Sequence, residues 1–119
     1  MRYYIGIDPS LTGCAVAVVG EKGNLVDSQR LENKLRGVER LVFIRDRVHH
    51  ILNYYNKDIQ SIGIEGYARG ASNRREEAGE LGGILRVMFY EFQLPWLDIA
   101  PSQIKKFATG KGNAPKDHV

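Results

Sequence analysis

Met1-Arg2-Tyr3-Tyr4-Ile5-Gly6-Ile7-Asp8-Pro9-Ser10 opens the chain, and Ser61-Ile62-Gly63-Ile64-Glu65-Gly66 answers it halfway along. Each is a short apolar run with strand character that stops at a carboxylate. Side chains alternate along a strand, so Tyr3, Ile5 and Ile7 share one face while Tyr4, Gly6 and Asp8 share the other. In the second run Ile62 and Ile64 lie together, opposite Gly63 and Glu65. Pro9 restricts the residue before it to extended conformations, which holds Asp8 at the end of its strand. As neighbours the two strands would lie about 4.8 Å apart, placing both carboxylates at one sheet edge, close enough to share a metal ion.

The totals fit one domain: 119 residues, 43% of them hydrophobic, are enough for a modest core. A net charge of +3 is compatible with nucleic acid without requiring it. The single cysteine, Cys14, excludes an internal disulfide and a cysteine-pair zinc site. Set among small apolar residues, it reads as a buried, inert thiol. No apolar run approaches the roughly 18 residues of a membrane span. The N-terminus has no charged region leading into a long apolar one, so no secretory signal is expected and a cytoplasmic setting is.

Between the two acidic stretches, Gly13 to Val19 reads as a second strand and Leu25 to Leu31 as a third. The turn residues Gly20, Lys22, Gly23 and Asn24 join them into an antiparallel meander. Gly37 to Tyr55 has helical spacing, with apolar Val38, Leu41, Val42, Val48, Ile51, Leu52 and Tyr55. His49 and His50 are adjacent, so on this helix they diverge by about 100° and cannot face one ligand. The strand ending at Glu65 follows a helix, which implies a crossover and parallel pairing with the first strand.

Two basic segments flank the acids. Gly66 to Arg75 carries Tyr67, Arg69, Arg74 and Arg75 and follows Glu65 directly. A solvated loop is the bland reading; beside a carboxylate site it reads instead as a phosphate grip with an aromatic to stack or wedge. From Lys105 to Lys116 there are four lysines, Lys105, Lys106, Lys111 and Lys116, and no acid, a second candidate phosphate clamp. A helix from about Glu76 to Phe92 separates the two segments. Its apolar arc, widened by Ile84 and Val87, and its glycines 79, 82 and 83 permit close approach to the sheet or to another subunit. Trp96 to Ala100 reads as a fifth strand, and Pro101 opens a short helix ended by Gly110. Ala114-Pro115 looks like another helix start, so the chain is expected to continue beyond Val119.

With these segments placed, the chain resembles a RuvC-type Holliday junction resolvase of the RNase H-like superfamily, whether bacterial or from a phage. The resemblance rests on GIDPSLTG (Gly6 to Gly13), IGIEGYARG (Ile62 to Gly70), GELGGILR (Gly79 to Arg86) and APSQIKKFATGKGNAPK (Ala100 to Lys116). It implies an α/β fold: a five-stranded mixed sheet, three strands antiparallel and then two parallel, with helices on both faces, in one domain over 1–119. It implies a homodimer formed through the helix Glu76 to Phe92 that nicks branched DNA symmetrically. Asp8 and Glu65 match the family's first metal-binding acids, and Lys105 and Lys116 match lysines that contact DNA. Tyr67 lies near a junction-contacting aromatic. Two further acids are expected on a C-terminal helix beyond Val119; Asp117 falls before that motif.

Phosphodiester hydrolysis needs an activated water, an in-line displacement and a stabilised leaving oxygen. Two Mg²⁺ ions, or Mn²⁺, about 3.5–4 Å apart supply all three, and hard carboxylate oxygens suit them. No Ser–His–Asp or Cys–His set competes for the role. Two rivals stand beside the nuclease. One is a non-catalytic domain of the same fold that binds branched DNA. The other is an actin-like ATPase half, which predicts nucleotide binding and leaves the basic segments without a use.

Overall fold

The computed structural model describes residues 1–11, 13–66 and 75–99, with the backbone alone for 75–78. β1 (Tyr3–Asp8), β2 (Gly13–Gly20) and β3 (Leu25–Glu32) form the antiparallel meander, joined to α1 (Gly37–Tyr55). A single 3-10 turn, Asn56–Asp58, leads into β4 (Ile59–Glu65); α2 (Arg75–Glu91) and β5 (Trp96–Ile99) follow. The sheet order is β3-β2-β1-β4-β5, with β1 at the centre. β1 pairs antiparallel with β2 and parallel with β4, and β4 pairs parallel with β5. This is the expected three-plus-two arrangement. Gly23, at φ 85°, makes the tight β2–β3 turn, whose ends are closed by a Gly20 N–H to Asn24 carbonyl bond of 2.8 Å.

Register explains the two faces. Ile5 pairs with Ile62, Gly6 with Gly63 and Ile7 with Ile64, so aliphatics line up on one face and glycines on the other. The aliphatic face continues through Cys14, Val16 and Val18 on β2 and is sealed by Ile44, Val48, Ile51 and Leu52 of α1 with Leu81, Leu85, Met88 and Phe89 of α2. Among the described residues both long helices therefore lie on this one face. Each fully buried aliphatic there contributes roughly 1.5–3 kcal/mol. The Tyr3 and Tyr55 rings (4.8 Å) and the Phe89 and Trp96 rings (5.9 Å) close its margins.

The helix boundaries match the spacing, but the buried stripe of α1 is rotated from the expected one. Val38 and Val42 point outward, Val38 being 73% exposed, while Ile44 is fully buried. The inward positions are 44, 48, 51 and 52, with Leu41 and Tyr55 half-buried, and an apolar side chain outside that arc stays in water. β4 starts two residues earlier than its apolar run, because Ile59 is buried and pairs with Tyr3. The short helix expected after Pro101 and the basic stretch 105–116 lie outside the described residues.

Candidate active site

The end of β1 is fixed from several directions. The Ser10 N–H bonds the Asp8 carbonyl at 2.9 Å, turning the chain immediately after the carboxylate. Leu11 then drops back into the core. The Asn33 amide donates to the Leu11 carbonyl at 3.2 Å and to that of Leu31 at 3.3 Å, tying the turn to the end of β3, while the Asn33 side-chain oxygen accepts from the Leu35 N–H. Sequence reasoning did not single out Leu11 or Asn33; the only signal for them was their place beside strand ends.

The end of β4 is held by its other neighbour. Glu65 pairs with Ile99, and the Gly66 N–H donates to the Ile99 carbonyl at 3.0 Å. One register step beyond Ile7 and Ile64, Asp8 and Glu65 come side by side, both half-buried, on the glycine face. The Glu65 carboxyl is pushed up to about 7, first by burial and then by a hydrogen bond and charge repulsion from Asp8. The Glu65 carboxyl therefore keeps its proton to higher pH than an ordinary carboxylate. A hard divalent ion fits that donor pair. Among the described residues no group of three or more acidic, histidine or cysteine side chains gathers anywhere to hold a metal, so the described site consists of these two acids.

The remaining candidates fall as follows. Cys14 is buried, and burial, with the Asp8 charge second, pushes its thiol up to about 12, which makes it inert at neutral pH. His49 and His50 are exposed, and His49 stacks edge-on against Phe92 at 5.1 Å instead of joining a site. Arg75 begins α2, with only its backbone described. Tyr67, Arg69, Arg74, Lys105, Lys106, Lys111 and Lys116 lie outside the described residues. Arg86, in α2, forms a 2.6 Å ion pair with Asp98 on β5, on the helix-covered face and away from the acids.

The outer side of α2 is apolar and open. Val87 and Tyr90 are exposed, and Gly79, Gly83, Ile84 and Met88 line a groove of about 560 Å³ shared with Arg45 and His49 of α1. No described helix is long and apolar enough to cross a membrane.

Comparison with known proteins bears on the family and the fold. Residues 4–119 match the family model described as crossover junction endodeoxyribonuclease RuvC. A relative of that name from Rickettsia bellii is 27% identical over 97% of this chain and 76% of its own length. Another, from Synechococcus sp., is 28% identical over 97% of this chain and 78% of its own. The solved structure of T. thermophilus RuvC in complex with Holliday junction substrate superposes with a TM-score of 0.76 at 25% identity, covering all of this chain and 75% of that one.

Proposed function

This chain belongs to the RuvC crossover junction endodeoxyribonuclease family and is a nuclease of RNase H-like fold; from that premise we propose that it nicks four-way DNA junctions with divalent metal held by Asp8 and Glu65. One observation carries the assignment of these residues. Two carboxyls on adjacent parallel strands meet at one end of the sheet, with Glu65 pushed up to about 7 by burial first and then by a hydrogen bond and charge repulsion from Asp8. A structural ion pair would have placed a cationic side chain there instead.

Bound Mg²⁺, or Mn²⁺ in its place, supplies a Lewis acid that lowers the pKa of water and stabilises the leaving oxygen. Asp8, held by the Ser10 turn and the Leu11 anchor, presents a fixed oxygen for the metal. Glu65, deprotonated, would supply the second ligand to such an ion. Tyr67, Arg69, Arg74 and Arg75 follow Glu65 in sequence, which suits them to grip the backbone next to the reacting phosphate. Lys105, Lys106, Lys111 and Lys116 supply a second basic stretch. These contacts give affinity that falls with salt, while junction shape selects the substrate.

The open apolar side of α2 supports a homodimer formed through that helix, which would give two sites for paired nicks. Sedimentation of the protein would show a dimer that Val87→Glu disrupts; a monomer at all concentrations would remove this part. A DNA-processing role places the enzyme in the cytoplasm.

The test is nicking of a synthetic four-way junction in Mg²⁺ by the unaltered protein, Asp8→Asn and Glu65→Gln, with metal binding followed separately by calorimetry. Loss of nicking and of metal binding in both variants, with junction binding retained, is expected. Metal binding unchanged in either variant would overturn its assignment as a ligand.

A further inference from the structure

We infer that Arg30 binds a backbone phosphate of the DNA strand being cut, on the same sheet face as Asp8 and Glu65. The inference rests on the nuclease reading and extends it to a residue on the sheet, outside the two basic segments. Ala15 pairs with Asp8 on one side and with Arg30 on the other, so the three form one row across β1, β2 and β3 with their side chains on one face. Two strand spacings put the Arg30 backbone about 10 Å from that of Asp8, within one guanidinium's reach of a neighbouring phosphate.

Little stands between them. Ala15 offers one methyl group, and the next position on that face, Gly13, offers none. A β-carbon on Gly13 would lie 3.0 Å from Arg30 Nε and 3.1 Å from one Nη, so one edge of the guanidinium lies against the space that Gly13 leaves open. Gly13 lies beyond Ala15 toward the end of the sheet where β1 finishes, so Arg30 leans toward the carboxylates' end. Its ion-pair partner among the described residues is Glu32, at 3.3 Å through Nε, with side chains 69% and 73% exposed. So open a pair contributes little, and the outer fork of the guanidinium remains available. That planar fork matches a phosphate's two oxygens. Charge explains the placement as well: among the described residues, the other charged side chains near the row on this face are Asp8, Glu65 and Glu32, all acidic. Once metal covers the first two, an incoming phosphate meets Arg30 as the nearest described cation.

The test is binding of a four-way junction, without added metal so that nothing is cut, across a salt series. Arg30→Gln is expected to weaken binding by about tenfold near 50 mM salt and to reduce the log–log salt slope by about one. Arg30→Lys keeps the charge and holds the slope. Glu32→Gln frees the guanidinium and tightens binding, and this gain disappears in the Arg30→Gln background. An unchanged slope in Arg30→Gln, with the unaltered protein binding normally, overturns the inference alone, as does a Glu32→Gln gain that survives without Arg30. Failure of the unaltered protein to bind the junction overturns the nuclease reading together with it.

Discussion

The two faces of the sheet are built from the same strands and do opposite things. On one, Ile5, Ile7, Ile62 and Ile64 meet two helices and are sealed from water. On the other, Gly6 pairs with Gly63, Ala15 and Ala17 lie alongside, and the row at the strand ends carries Asp8, Glu65 and Arg30. The first face is selected for volume and shape, since a dense core penalises any lost methylene. The second is kept low by glycine and alanine and carries acids at its end. Stability and chemistry are thus separated by a single residue step along each strand.

The sharpest way to break this division is to change one side chain on each face and ask which property fails. Asp8→Asn should cut nicking by at least about a hundredfold, as removal of a group acting directly on the transition state does, while the melting temperature stays level or rises. An unfolded Asp8→Asn protein would show that the polar end also holds the fold. Ile64→Ala, one residue from Glu65 but facing the helices, should cost roughly 2–5 kcal/mol in denaturant unfolding. A loss below 0.5 kcal/mol on the order used for exposed sites would mean that the sealed face is less tightly packed than its burial indicates.

The pH dependence separates the faces in a different way. Because the folded protein holds the Glu65 proton up to about 7 against an ordinary 4.5, the metal-free fold gains from that proton fully below about 4.5 and loses the gain as pH rises through 7. Melts in a chelator should therefore fall between pH 5 and about 8. Mg²⁺ should restore stability at the upper end, and Glu65→Gln should flatten the profile. A profile as steep in Glu65→Gln would assign the titration elsewhere. Charge removal at Lys105 and Lys116 together should weaken junction binding and lower its salt slope by about two, leaving the melt unchanged; an unaltered slope would exclude both as phosphate contacts. The smallest effect is expected at the exposed end of the Arg86–Asp98 pair on the helix-covered face. Asp98→Asn should cost about 1 kcal/mol or less, with nicking unaffected.

Much of this was legible in the chain itself. The five strands, the helix Gly37–Tyr55 and the crossover before β4 follow from local periodicity, turn residues and Pro9. The two carboxylates stood out because each closes an apolar run. Local spacing was a poorer guide where tertiary contact chose among near-equivalent positions. Val38, Val42 and Ile44 are all apolar and all in α1, yet only Ile44 faces the sheet. Ile59 and Gln60 sit beside a polar turn and enter β4 only because Tyr3 offers a partner.

What the sequence determined by itself was the alternation of isoleucine with glycine in β1 and β4, the acid that ends each, and the order of elements. These are local properties, set by backbone geometry over a few residues. Only the tertiary structure decided that Leu11 and Asn33 hold the Asp8 turn, that burial and Asp8 push the Glu65 carboxyl up, and that Arg30 lies in the same row two strands away. Each depends on register between strands distant in the chain. A one-residue shift of β3 would send Arg30 to the other face, and one of β4 would do the same to Glu65.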